Sequence, residues 1–175
     1  MEEFFEHVKE GLSKSPKEIS SRYFYDAKGD ALYQGIMKLD EYYLPRCEMQ
    51  IIDDKSHQIA QDIAAQHSSL QVVELGAGDG SKTKHLLKQF RPYFSDLEYV
   101  AMDISENVLD INQTEIRNEI GFIDYNGIAG NYFETYQSLT GTSNGRLVLF
   151  LGANIGNYTT EEVIDFFKFV QSGLD

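Results

Sequence analysis

The chain has 175 residues, with 15 lysines and arginines against 28 aspartates and glutamates, a formal net charge of -13, 42% hydrophobic residues and one cysteine. A chain of that size buries about 70% of the surface its unfolded form exposes, which argues against a disordered or fibrous protein, and its acidic surface makes nucleic acid and anionic lipid poor partners. Cys47 alone can form neither an internal disulfide nor a four-cysteine zinc site, no apolar run approaches the roughly 20 residues of a membrane span, and the acidic N-terminus is unlike a signal peptide. The expectation is a soluble, cytoplasmic protein acting on a small or cationic ligand.

Helical patterns come first along the chain. Phe4, Phe5, Val8 and Leu12 recur on one face, Pro16 and its Ser/Lys surroundings interrupt, and Ala31, Leu32, Ile36 and Leu39 resume the period. A third helical run is predicted from near Arg46 through Ile51, Ile52, Ile59 and Ile63 to just before Ser68. Residues 1–68 therefore read as an N-terminal helical cap. From there to residue 175 strands alternate with helices: strands over 71–75, 97–103, 122–128 and 146–152, helices over 81–90, 106–118, 132–139 and 161–170. This alternation predicts right-handed crossovers and a parallel sheet, an α/β core over 69–175. Four strands fall short of the about six usual for an open doubly wound sheet, so the sheet is expected to be incomplete and the chain part of a longer protein.

Between the first strand and its helix stands Glu74-Leu75-Gly76-Ala77-Gly78-Asp79-Gly80-Ser81-Lys82-Thr83. Glycines let the chain turn sharply there and let a ligand approach the backbone. A plain turn would not need three of them. A phosphate-binding loop nearly fits through Gly76 and Lys82-Thr83, but Ser81 stands where its last glycine belongs and Asp79 would repel phosphate. The dinucleotide fingerprint fails at Ser81 too. The pattern E-x-G-x-G-x-G remains, typical of enzymes that bind S-adenosylmethionine, whose cationic groups sit well beside carboxylates. Asp103 ends the second strand 23 positions after Gly80, where a carboxylate can accept both ribose hydroxyls. Its alternative role is to cap the following helix, since Asp103-Ile104-Ser105-Glu106 also reads as a helix start.

His7, His57, His67 and His85 read as surface residues of helical segments, Cys47 as structural, and Tyr23 and Tyr43 as packing residues. Ser/His/Asp, Cys/His and metal-ligand spacings are not evident, so neither a catalytic nucleophile nor a metal is assigned. A nonenzymatic domain that binds this cofactor or a nucleotide and regulates a partner is the alternative from another class.

Further blocks carry a resemblance. Tyr23-Phe24-Tyr25-Asp26-Ala27-Lys28-Gly29, then Leu39-Asp40-Glu41-Tyr42-Tyr43-Leu44-Pro45-Arg46-Cys47-Glu48, then the glycine loop, then Phe150-Leu151-Gly152-Ala153-Asn154-Ile155-Gly156-Asn157 together resemble the histidine-specific methyltransferases. The resemblance runs from about Pro16 to the C-terminus. It implies a Rossmann-like class I methyltransferase core and methyl transfer from S-adenosylmethionine to the α-amino nitrogen of an amino acid, L-histidine, towards the ergothioneine-type betaine. It also implies cofactor contacts for Tyr25, Gly76, Gly78, Lys82, Asp103, Asn131 and Tyr132, and substrate contacts for Tyr42, Gly152 and Asn157. Asn131-Tyr132 replaces the family's Asp-Phe pair near the adenine, where an amide can still accept the adenine amino group. Asp40 stands for a usual proline, Leu44-Pro45 for Pro-Thr, and Asn154 for a small hydroxyl residue. The family's remaining strands and substrate-closing domain have no counterpart in these residues.

Overall fold

The computed structural model describes residues 2–20, 23, 27–139 and 145–174. Three helices open the chain: α1 (Glu2–Ser13), α2 (Ala27–Ile36) and α3 (Leu44–Ala64). Pro45 sits in the first turn of α3, where its missing N–H leaves no helical bond unmade. Ile52, Ser56 and Ala60, four residues apart, form the buried stripe of α3. That stripe packs on α4 (Thr83–Phe90), whose Thr83, Leu86, Leu87 and Phe90 are buried in turn.

The core is β1 (Ser69–Leu75), β2 (Asp96–Asp103), β3 (Asp124–Ala129) and β4 (Arg146–Leu149), joined through α4, α5 (Glu106–Ile120) and α6 (Tyr132–Thr135) and followed by α7 (Thr160–Ser172). The strands form one parallel sheet in the order β3-β2-β1-β4. β1 lies inside it, and its residues 70–75 are all buried, as expected of a parallel strand covered on both faces. Val72, Tyr99 and Ala101 face the α3, α4 and α5 side with Leu86, Leu87 and Phe90. Val73, Leu75, Val100 and Met102 face the other side, where Tyr136 and Phe166 complete the core.

Several boundaries differ from the sequence expectation for local reasons. β4 ends at Leu149 rather than residue 152, because only Arg146–Leu149 is in register with β1 and Gly152 turns the chain at φ +86°. β3 begins at Asp124 rather than 122, since Gly121 closes α5 at φ +80° and leaves Phe122 exposed. The helix predicted over 132–139 is α6 followed by a 3-10 turn, Tyr136–Ser138. Tyr43, expected to pack, is 57% exposed, and Cys47 lies exposed near the start of α3 rather than in a structural position. His67 is in the loop after α3, not on a helix, and its Nδ1 is buried. Among the described residues no helix is long and apolar enough to cross a membrane.

Candidate functional site

The carboxyl ends of β1, β2 and β4 meet at one edge of the sheet. With the order β3-β2-β1-β4, the connections after β1 and β4 leave on opposite sides, and a crevice opens between them where open α/β sheets bind ligands. The glycine loop forms the β1 side. Gly76, Gly78 and Gly80 all have positive φ, at 75°, 57° and 73°, a conformation costly for any residue with a Cβ. Open space lies where Cβ atoms on Gly76 and Gly78 would stand, so a ligand could reach the backbone there. At Gly80 a Cβ would lie 3.0 Å from the Asn112 amide.

Asp103, at the tip of β2, turns its carboxylate to this loop. Its Oδ2 accepts from the Gly78 N–H at 2.9 Å, and its Oδ1 accepts from the Ser105 N–H at 3.1 Å. The helix-capping role belongs to Ser105, whose hydroxyl accepts from the Val108 N–H at 3.3 Å. The alternative reading of Asp103 as the cap of α5 is therefore corrected. Asp103 is a half-buried carboxylate beside the loop, the kind of group that accepts from a diol.

Glu74, the acid of the motif, faces away from the crevice. It is buried beneath the loop, where Thr83 Oγ1 donates to it at 2.7 Å and Tyr99 Oη donates at 2.5 Å. Burial pushes its carboxyl up to about 7, against the opposing pull of those two hydroxyls and the Lys82 charge. Asn112 extends the network from α5, donating to Tyr99 Oη at 3.3 Å and to the Gly78 carbonyl at 3.0 Å. Glu74 thus ties β1 to α4 and β2 and acts on the loop from below. The phosphate-loop reading loses its hydroxyl here, because Thr83 is buried against Glu74 rather than turned to the crevice.

Two helices of the N-terminal segment reach the loop. Gln34 on α2 donates to Asp79 Oδ2 at 2.7 Å, and Asp79 Oδ1 accepts from the Ser81 N–H at 3.0 Å. Burial alone would raise the Asp79 carboxyl, but the hydrogen bonds from Ser81 and Gln34 and the Lys82 charge hold it below its usual value. Glu48 on α3 accepts from Lys82 Nζ at 2.6 Å through Oε2 and from the Gly152 N–H at 2.6 Å through Oε1. One carboxylate therefore bridges the two walls of the crevice.

Of the residues expected at a ligand site, Gly76, Gly78, Lys82, Asp103 and Gly152 come together here. Asn131 lies nearby after β3, where the adjacent Gly130 N–H donates to the Asp103 carbonyl at 2.9 Å. Its side chain caps α6 by accepting from the Phe133 N–H at 3.0 Å. Tyr132 packs in the aromatic core with Phe133, Phe150 and Phe166, and its hydroxyl meets that of Tyr158. Tyr42 and Asn157 stand apart from the network: Tyr42 is half-buried in the turn before α3, and Asn157 donates to Asn154 Oδ1 at 2.9 Å on a short 3-10 turn. Tyr25 lies outside the described residues. Glu48, Gln34, Asn112 and Tyr99 were not anticipated as parts of the site, and only Glu48 lay within a block that carried the resemblance. Among the described residues no group of three or more His, Cys, Asp or Glu is placed to hold a metal ion.

Known proteins resemble this chain in fold and in sequence. Magnesium protoporphyrin IX methyltransferase from Synechocystis, solved with S-adenosylmethionine bound, superposes with a TM-score of 0.61 at 17% identity, over 88% of this chain and 70% of that one, a likeness of fold. Histidine N-alpha-methyltransferase of Mycobacterium tuberculosis is 35% identical over 152 residues, which is 87% of this chain and 46% of that protein. Ergothioneine biosynthesis protein 1 of Schizosaccharomyces pombe is 31% identical over 97% of this chain but 22% of its own length. The chain thus spans about half the length, or less, of these curated relatives. With the model of the SAM-dependent, histidine-specific methyltransferases matching residues 4–175, the Rossmann-like α/β fold, the loop and the sequence agree: the chain belongs to that family.

Proposed function

We propose that this chain supplies the S-adenosylmethionine-binding part, and the N-terminal side of the acceptor site, of an enzyme that methylates the α-amino nitrogen of an amino acid, with L-histidine the acceptor. The observation that carries the reading is the Asp103 carboxylate held against the Gly78 N–H, at the tip of the strand beside a loop of three positive-φ glycines. The residues fit the cofactor: the backbone at Gly76 and Gly78 is open to close approach of its amino-acid end, Asp103 can accept from two ribose hydroxyls, and Lys82 is a cation for the amino-acid carboxylate.

When bound, S-adenosylmethionine supplies a methyl group activated on a sulfonium sulfur. The chain's own residues would then bind, orient and exclude water, and no covalent nucleophile is needed. In this reading Asp103 holds the sugar, Gly76, Gly78 and Lys82 hold the amino-acid end, Asn131 and Tyr132 surround the adenine side, and Tyr25 serves the cofactor close to the acceptor. Tyr42, Gly152 and Asn157 face the acceptor and keep its amine, in the unprotonated form, in line with the donor. No residue is assigned a proton-transfer role. A cytoplasmic setting belongs to the same proposal.

The cofactor half is tested by thermal unfolding with S-adenosylhomocysteine against Mg-ATP. At about 100 times its dissociation constant a ligand of the native state adds about 2.7 kcal/mol, enough for a clear rise in midpoint. The homocysteine compound is expected to stabilise the chain and Mg-ATP to leave it unchanged; stabilisation by Mg-ATP alone would overturn the reading. Asp103→Asn is expected to weaken the homocysteine compound about tenfold or more, since one charged hydrogen-bond acceptor becomes neutral. The acceptor half is tested by mass spectrometry of L-histidine incubated with S-adenosylmethionine and the protein as its gene encodes it. Methylation of other amines with histidine untouched would replace the acceptor.

A further inference from the structure

Among the described residues, Glu48 hydrogen-bonds to both walls of the crevice. Lys82 closes the loop after β1, Gly152 lies in the turn after β4, and Glu48 comes from α3, 34 residues before the lysine and 104 before the glycine. Its two oxygens are divided between them at 2.6 Å each, and the side chains of the pair are about three-quarters shielded from solvent, at 24% exposed for Lys82 and 26% for Glu48. The glycine is part of the arrangement. A Cβ at Gly152 would approach Lys82 Nζ at 3.4 Å, and the φ of +86° there disfavours any residue that carries one.

We infer that Glu48 is a positioning residue of the crevice: it fixes the Lys82 ammonium and the Gly152 amide with one carboxylate, so that Lys82 is already aimed when the anionic end of the ligand arrives. A lysine side chain has four rotatable bonds and loses about 2 kcal/mol of rotamer freedom when it is held. Held beforehand, it meets a ligand without that loss. An ammonium has three N–H donors, so the bond to Glu48 leaves two for the ligand. The group they fit is a carboxylate, and in S-adenosylmethionine or S-adenosylhomocysteine the only anionic group is that of the amino-acid end. This inference rests on the cofactor reading above and adds to it the residue that aims Lys82.

The test compares two ligands by isothermal titration calorimetry. S-adenosylhomocysteine carries the carboxylate, and 5′-methylthioadenosine keeps the adenosyl sulfur but lacks the amino-acid end. Glu48→Gln, which keeps the shape and an acceptor for the Gly152 amide, is expected to weaken S-adenosylhomocysteine about tenfold and to leave methylthioadenosine unchanged. Glu48→Asp keeps the charge on a shorter stem that cannot span both partners, and an intermediate loss confined to S-adenosylhomocysteine is expected. It also serves should the glutamine variant not fold. A brace that only supports the fold would weaken both ligands alike, and equal losses, or none, would overturn the inference while leaving the cofactor reading intact. Failure of the unsubstituted chain to bind either ligand would overturn the cofactor reading and this inference with it.

Discussion

A carboxylate closed away from water at position 74 places the native state in a different titration regime from the unfolded chain. Glu74 titrates near 7 in the fold against 4.5 unfolded, because burial disfavours its charge more than Thr83 and Tyr99 favour it. The native state therefore holds that proton more tightly. The stabilisation this gives is complete below 4.5 and is lost as pH rises through about 7. Urea unfolding of the wild type and Glu74→Gln at pH 5 and pH 8 should show the wild type losing roughly 3 kcal/mol relative to the variant across that interval; parallel curves would refute the burial effect. Gly80 makes a separate case. Alanine there meets both an unfavourable φ of +73° and the Asn112 amide at 3.0 Å. Gly80→Ala should lower stability by about 1–3 kcal/mol, measured in the same way. The identity of these glycines was legible in the sequence, but the direction in which Glu74 faces was not. Spacing puts an acid two residues before a glycine equally well above a crevice or beneath it, and only Thr83 and Tyr99 packing against it decides.

At the scale of elements, what could be read ahead followed from local periodicity. Val72, Val73 and Leu75 predicted β1, and the apolar period over 161–170 predicted α7; both are present, and a capping box of Thr159 and Glu162 opens the latter. Thr159→Ala removes a side-chain acceptor from the Glu162 N–H and should cost about 1 kcal/mol in urea unfolding, with Thr159→Ser recovering most of it. What escaped was long-range. Glu48 sits on a helix whose pattern reveals only an apolar stripe, and its partners lie on two later loops, so nothing near position 48 in the chain announces a bridge. Tyr43 shows the converse error. The second tyrosine of a pair before a helix reads as packing, yet at the helix N-terminus the chain changes direction and points it to solvent. β4 was drawn too long because Phe150 and Leu151 continue the apolar run past the point where pairing with β1 ends.

Across the whole molecule the charge is lopsided, and its pI of about 4.6 leaves it strongly anionic at neutral pH. Compact anionic chains repel themselves, and salt screens that repulsion. Raising sodium chloride from about 10 mM to about 150 mM shortens the screening length from roughly 30 Å to 8 Å and should therefore raise the unfolding midpoint; a midpoint that falls with salt would mean the local ion pairs of Lys82 and Lys84 outweigh the global term. The tethers Gln34 to Asp79 and Glu48 to Lys82 carry one more consequence. The first part of the chain and the bend that follows β1 hold each other in place, so whatever fills the space beneath them also tightens the grip on residues 27–64. A protease offered this chain would then serve as a reporter of occupancy: cuts within α2 and α3 should slow when S-adenosylhomocysteine is added, at positions far along the sequence from where the molecule lodges.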